Sequence, residues 1–547
     1  MKRRFVGFFL LAVFVFQISL VAQTVTKPNS PARKAAEQIT AEQLKDYLYF
    51  IADDAMQGRD TPSPGLDATA NFIAFNLKKW GFKPAGDNGT YLQKIALRRD
   101  VVDPAATKLT VSDKSLAYGD DFFRWSGSGT GNGSLVYAKD GWMVKSKGID
   151  ALSGLDVTGK IVVIYSQGFN QRFLTPIPAG LTQRDLTPAT RGTDWADPVT
   201  NAKAKGAVGV ILVAPPNLQA NWAQVRNFFR QGGMFPEKLR EATPQAPTLP
   251  VLLVSGKTAE AIFQGADKNP MTTADAPAAA LKTTANFNAV TKAETAWTQN
   301  VVALWEGGDP KLKDEMVAIG AHYDHVGVNP NAPGDDKIFN GADDDGSGTT
   351  GVLGIAEALA KSKVKPKRSI LFVWHCGEEK GLWGSEYFNK FPTVDIKKVT
   401  AQLNIDMIGR SKKVGDTEPK NKELSGENEI FVIGSNMMSS TLGKIVADTN
   451  NNYLKMTYDF RFDDPKDPNR FFFRSDHFNY AVNGIPISFW FDGVHVDYHQ
   501  ASDSPDKIDY KKMEKISRTI FLTMWELADL KERPKIDKQL PPELTQR

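Results

Sequence analysis

Hydrophobic positions change their spacing twice along this 547-residue chain, and the changes divide it. Lys2, Arg3 and Arg4 lead straight into an apolar run from Phe5 to Phe16, and Ala22 then offers a small residue for cleavage. That is the pattern of a signal peptide over 1–22; a retained N-terminal anchor is the alternative, because Leu20 stands where a small residue is usual. After a polar stretch, Thr40 can cap a helix that carries Leu44, Tyr47, Leu48 and Ile51 at helical spacing. A second helix is predicted over 66–80 and is ended by Gly81. The texture changes near residue 103. Short strand-like runs at 160–165, 209–213 and 249–254 are separated by Gly- and Pro-rich connections as far as 284, which reads as a β-rich inserted module. From 285 onward strand and helix alternate, as in an α/β, doubly wound, mostly parallel mixed sheet. Strands are predicted over 316–321, 369–375, 400–405, 430–434 and 485–491, with helices over 349–361 and 511–530. The parts are then 1–22, 23–102 as the N-terminal part of the α/β domain, 103–284 as the insert, 285–531 as the α/β domain proper, and 532–547 as a charged tail expected to fray.

Composition removes several classes of function. With 41% hydrophobic and 24% charged residues the chain is globular, not disordered or low in complexity. Lys and Arg total 67 against 63 Asp and Glu, so the net charge is only +4 and nothing argues for a nucleic-acid partner. Loss of 1–22 would leave about +1. Cys376 is the single cysteine, so no internal disulfide can form. There is no second apolar run of about eighteen residues, and no membrane span is expected after signal removal.

Candidate chemistry gathers just after the strands of the α/β domain. One strand runs into Ala321-His-Tyr-Asp-His-Val-Gly327, and Asn340-Gly-Ala-Asp-Asp-Asp-Gly-Ser-Gly348 precedes a helix. Others lead into Cys376-Gly-Glu-Glu-Lys-Gly-Leu382, into Asp406, and into His495-Val-Asp-Tyr-His-Gln-Ala-Ser-Asp503. Open α/β sheets bind ligands at the carboxyl ends of their strands. So many acids in one crevice repel one another unless cations sit among them. Mixed His and carboxylate ligands suit zinc, with Mn2+ or Co2+ as substitutes. Two ions about 3.5–4 Å apart, bridged by a carboxylate, would form a hydrolytic site.

These motifs resemble those of the co-catalytic dizinc exopeptidases of the bacterial leucyl aminopeptidase and glutamate carboxypeptidase II kind. The resemblance covers roughly 40–93 and 300–527, and the segment with 158–163 and 205–211 resembles a protease-associated (PA) domain. It implies that His322 and Asp406 hold one Zn2+, that Glu379 and His499 hold the other, and that Asp344 bridges them. Glu378 would be the general base toward a water shared by the two ions. Asp324 would orient the His322 imidazole, and Asp345 follows Asp344 across what is a cis peptide in this family. His495 competes with His499 for the last ligand position; Asp503, four residues after His499, matches the family pattern. His325 stands where the family often has serine, with solvent-facing and substrate-lining placements both open. Asp476 and His477 resemble a segment near the substrate cleft, or else form a loop-stabilising pair. Relatives can place a tyrosine donor just before that segment, where this chain has Phe471, Phe472 and Phe473; Tyr480, Tyr458 or His477 are the substitutes considered. The phenylalanines either line a substrate pocket or belong to ordinary core.

The function so implied is an exported dizinc aminopeptidase acting on peptides with a free N-terminus. Alternatives are a carboxypeptidase or dipeptidase on the same ions, with Arg461, Arg470 or Arg474 clamping a carboxylate. A single-zinc cyclase of N-terminal glutamine and a binding protein that has lost its metals are further alternatives. Side-chain preference and oligomeric state are not readable.

Overall fold

The computed structural model describes residues 24–170, 173–186, 189–231, 233–242 and 249–545; the apolar run read as a signal peptide lies outside them. Among the described residues no helix is long and apolar enough to cross a membrane. The chain forms two compact units: Met1–Ala96 together with Trp297–Arg547, and Leu97–Ala296.

The discontinuous unit begins with α1 (Ala41–Ile51) and α2 (Pro64–Lys79). Thr40 and Gln43 form a reciprocal capping box at the start of α1, and Ser63 with a proline at the next position starts α2. Seven strands of its sheet are β1 (Thr291–Trp305), β2 (Met316–His322), β3 (Ser369–His375), β4 (Val399–Ile405), β5 (Glu429–Ile433), β6 (Thr457–Asp459) and β7 (Ile487–Phe491). They lie in the order β1-β3-β2-β4-β7-β5-β6. Pairings β3/β2, β2/β4, β4/β7 and β5/β6 are parallel; β1/β3 and β7/β5 are antiparallel.

Every residue of β2, β3 and β4 is buried, as expected of parallel strands covered on both faces. Alternate residues such as Ala318, Leu371, Val373 and Phe489 share a core with Phe388 of α4 (the helix Trp383–Lys390, after α3, Gly348–Lys361). The opposite face turns to α3, where Trp374 Nε1 donates to the Thr349 carbonyl at 3.2 Å. Three more helices follow: α5 (Ser440–Asn452), α6 (His477–Val482) and α7 (Tyr510–Asp529), the last packed against α1, α3 and α5. From β2 the chain passes to β3 on one side, then returns across β2 to β4 on the other. That reversal of strand order opens a crevice at the carboxyl ends of these strands.

The expectation of a frayed tail is corrected. Asp537 accepts from Ser440 N at 2.9 Å, satisfying an orphan donor at the start of α5, and Leu544 is buried. Capping and apolar burial dock a segment whose composition alone suggested disorder.

The second unit holds an eight-stranded sheet in the order Lys114–Leu116, Lys108–Val111, Ala279–Ala289, Gly129–Tyr137, Ile161–Ile164, Gly209–Val213, Val251–Val254, Phe122–Ser126. Gly129–Tyr137 through Val251–Val254 pair in parallel. Each side of the sheet carries its own apolar core.

Candidate metal centre

Five segments deliver carboxylates and imidazoles to the crevice. His322 ends β2, with its Nε2 3.3 Å from Asp344 Oδ1, 3.6 Å from Asp406 Oδ1 and 3.9 Å from Glu378 Oε2. Its Nδ1 lies 3.1 Å from the Asp324 backbone carbonyl and 3.6 Å from the Asp324 carboxylate. An Nδ1–H held by that carbonyl leaves the Nε2 lone pair free for a cation. The Asp324 side chain also accepts from Glu378 N at 3.1 Å, so it fixes the Glu378 loop as well.

Asp344 turns its second oxygen the other way: Oδ2 is 3.0 Å from His499 Nε2. Its two oxygens thus face two different imidazoles. Glu379 Oε2 lies 3.1 Å from the same His499 nitrogen. The Asp344–Asp345 peptide is cis. The Asp345 carboxylate accepts from the backbone N–H of His322, Gly348 and Met407, tying the ends of β2 and β4 to the start of α3. Asp503 Oδ2 accepts from Asp343 N and Asp344 N at 3.0 and 3.2 Å. His495 makes a separate pair with Asp343 at 3.1 Å, and His499 is the imidazole placed between the Asp344 and Glu379 carboxylates.

Asp476 is buried close enough to feel these charges; burial lifts its carboxyl to about 7, with Asp324 and Asp406 adding and His322 opposing. His477 instead stacks on Phe489, ring centroids 4.4 Å apart, inside the aromatic core. Tyr480 is buried against His375, its hydroxyl 3.2 Å from Nε2. A cavity of about 280 Å³ opens over the cluster, lined among others by Glu378, Phe471, Arg474, Phe489, Phe491 and Tyr498. Of the three consecutive phenylalanines, Phe471 therefore reaches the cavity. Tyr498, stacked on His499 at 4.0 Å, is the tyrosine on its wall, and its hydroxyl accepts from Arg474 at 3.1 Å.

The electrostatics call for cations. Burial pushes the Glu378 carboxyl well up, helped by Glu379, Asp406 and Asp476 and opposed by His322. For Asp344 burial acts the same way, but His322, His499 and His325 outweigh it and hold the carboxyl well below its usual range. Burial disfavours charge on His499, yet Asp344 and Glu379 lift its imidazole to about 10. Without ions the carboxylates therefore draw protons onto His322 and His499, positions a divalent cation would take over.

Sequence reading left His325 between two placements and gave Arg59 no role. His325 is fully buried, which removes the solvent-facing alternative, and its Nδ1 is 2.9 Å from Glu379 Oε1. Arg59 is fully buried and donates to four backbone carbonyls: Tyr323 (2.9 Å), Ile51 (2.8 Å), Asn340 (2.7 Å) and Gly341 (2.8 Å). Its own carbonyl accepts from His325 N at 3.2 Å. One side chain thus registers the loop after β2 against the loop before α3. Burial pulls the guanidinium down to about 10 while Asp324, Asp503, Asp345 and Asp344 oppose the shift, so it stays charged at neutral pH. Gln57, Gly58 and Arg59 are all left-handed, φ 49°, 64° and 48°, which costs about 1–2 kcal/mol at each non-glycine residue. The Gly58-Arg59 pair was visible in the sequence, but nothing local announced where the guanidinium would go.

The mixed α/β sheet thus brings carboxylates and imidazoles together at its strand ends. Residues 300–524 match the model of peptidase family M28 and residues 131–262 that of the PA domain. The chain is 29% identical over 219 residues to leucine aminopeptidase 2 of Arthroderma otae, covering 39% of this chain and 38% of that protein. It is 32% identical over 206 residues to a probable leucine aminopeptidase 2 of Aspergillus oryzae, covering 37% and 35%. The chain thus spans under two-fifths of the length of these curated relatives. The fold is also that of an aminopeptidase from Aneurinibacillus sp. strain AM-1, with a TM-score of 0.50 at 17% identity over 93% of this chain and 98% of that one.

Proposed function

We propose that the protein is an exported zinc aminopeptidase that removes N-terminal residues from peptides. The convergence of His322, Asp344, Glu379, Asp406 and His499 at the strand ends carries this reading, and the names of the similar proteins support it. The residues fit two divalent ions. His322, Asp344 and Asp406 offer one set of donors and Asp344, Glu379 and His499 the other, and buried atoms of the second set, among them Asp344 Oδ2 and His499 Nε2, make no hydrogen bond. Bound there, zinc would supply positive charge that polarises a peptide carbonyl and acidifies water.

The chain's own residues do the rest. Glu378, on the cavity wall, takes a proton from the attacking water and returns it to the leaving amine, so that one peptide bond breaks with the addition of one water. Its raised proton affinity suits a group that must hold that proton between the two steps. The surplus carboxylates anchor the substrate's ammonium terminus, and Phe471, Phe489 and Phe491 give its first side chain an apolar wall. Tyr498 and Arg474 are the hydrogen-bond donors nearest to hand for the developing oxyanion. Export rests on 1–22. Arg474 also favours a second reading, a carboxypeptidase that clamps a C-terminal carboxylate; Arg461 pairs with Asp459 and Arg470 lies over Phe473.

Digestion of free and N-acetylated peptides, with and without a zinc chelator, separates the readings. Stepwise N-terminal trimming of free peptides alone, lost on chelation, is the expected outcome. Trimming of both sets from the C-terminus would replace it with the carboxypeptidase.

A further inference from the structure

The geometry points to His325 as a fourth protein ligand, closing the metal position of Asp344, Glu379 and His499 while the position of His322, Asp344 and Asp406 stays open. The inference rests on the metal-centre reading above and deepens it. Four atoms define the closed position: His325 Nδ1, a carboxylate oxygen each from Asp344 and Glu379, and His499 Nε2, all within 4.8 Å of one another. His325 Nδ1 is 2.9 Å from Glu379 Oε1 and 3.8 Å from Asp344 Oδ2, and His499 Nε2 is 3.0 Å from Asp344 Oδ2. These separations bracket the edge of about 3.3 Å that a tetrahedron with bonds of about 2.0–2.1 Å would have.

The hydrogen-bond record supports it independently. His325 Nδ1, Asp344 Oδ2, Glu379 Oε1 and His499 Nε2 are all buried, and none makes a hydrogen bond of acceptable geometry. A lone histidine donating to Glu379 would have satisfied two of these atoms. Buried polar groups without partners are costly, about 1–3 kcal/mol each. Four such atoms around one point are explained together by a cation that all of them face.

The surroundings hold the ring in place. His325 N is pinned to the Arg59 carbonyl at 3.2 Å, and its ring stands edge-on to His499, centroids 5.4 Å apart. Gly341 lies against the other side; with φ at 57°, a side chain there would run into the His325 ring. The consequence is an asymmetric pair. A position closed by four protein ligands behaves as a structural site, and three ligands leave room for water or substrate. The open position is the one beside Glu378, 3.9 Å from His322. The closed site should then fill first and empty last.

X-ray absorption on the wild-type protein with two zinc equivalents tests this without a variant. The expected average is about 1.5 imidazoles per zinc, from three histidines on two ions; about 1.0 would overturn the assignment of His325. Competition with a chromophoric chelator gives a second readout. His325→Ala should weaken the tighter equivalent by at least roughly tenfold to hundredfold, the loss typical even of an outer-sphere partner, and leave the weaker one nearly unchanged. Unchanged affinity for both in a folded His325→Ala protein would also overturn it. Wild-type protein that takes up no zinc sinks the metal-centre reading itself, an outcome distinct from two ions with one imidazole each.

Discussion

The two units use one piece of geometry for opposite ends. Each sets parallel strands side by side, so that successive strand ends open on a common edge. In the discontinuous unit those ends deliver His322, the Glu378–Glu379 pair and Asp406. In Leu97–Ala296 the parallel strands end at Tyr137, Ile164, Val213 and Val254, and the next residues are Ala138, Tyr165, Ala214 and Ser255. Ser255 spends its hydroxyl on capping the following helix, accepting from Thr258 N at 3.3 Å. A parallel sheet therefore provides a place for a site, and the residues just past the strands decide whether anything is built there.

The sharpest way to break this contrast is to take away chemistry without touching the frame. Glu378→Gln should retain full zinc content by mass spectrometry and lose about 10²–10⁴-fold in kcat, the usual contribution of a general base. Unchanged kcat would mean that the strand-end acids only bind metal. Arg59→Met should act on the frame instead. It strips donors from four buried carbonyls at about 1–3 kcal/mol each, so calorimetry should show a loss of several kcal/mol, with weakened zinc binding. In the other unit, Trp142 Nε1 donates to Thr175 at 2.8 Å. Trp142→Phe should cost about 1–3 kcal/mol by the same reasoning and leave zinc stoichiometry at its wild-type value. A change in stoichiometry would deny the separation of the two units' roles.

The smallest effect concerns a buried acid outside the cluster. Glu526 accepts from Thr449 at 2.8 Å, and burial lifts its carboxyl to about 8. A raised carboxyl binds more protons in the folded than in the unfolded state between about 4.5 and 8. Its contribution thus falls as pH rises through that window. Glu526→Gln should raise the melting temperature by a few degrees at pH 9, change it little at pH 4 and leave zinc content alone. Equal shifts at both pH values would show that the carboxyl is not held protonated.

What could be read from the sequence follows the same division. His322, Glu378, Glu379 and Asp406 stand at or within four residues of the ends of apolar strands, while Asp344 precedes a helix and His499 lies eight residues past a strand, so linear order brings most of the candidate positions to one edge. His325 also follows a strand, but its role depends on a ring orientation set by Gly341 and Arg59, which no spacing encodes. Arg59 is further still from legibility, because its carbonyl partners at 323, 340 and 341 lie more than 260 residues away. His477 misleads in the other direction: an Asp-His pair reads as chemistry, yet the surrounding aromatics absorb the imidazole into the core. The tail misleads through composition, since Leu540 and Leu544 pack on the core and Arg533, Asp537 and Lys538 hydrogen-bond to the α/β unit.

The Arg59 clamp has a consequence for how the molecule is made. The residue leaves the ribosome early, yet the last carbonyl it needs is 282 residues behind it. At about 5–20 residues per second, the growing chain carries an unpartnered guanidinium for some tens of seconds. During that interval the whole of Leu97–Ala296 emerges. The helices Ala41–Ile51 and Pro64–Lys79 are therefore synthesised well before the segments they pack on and are among the last to find their place, and the loops after β2 and before α3 are set only when they return.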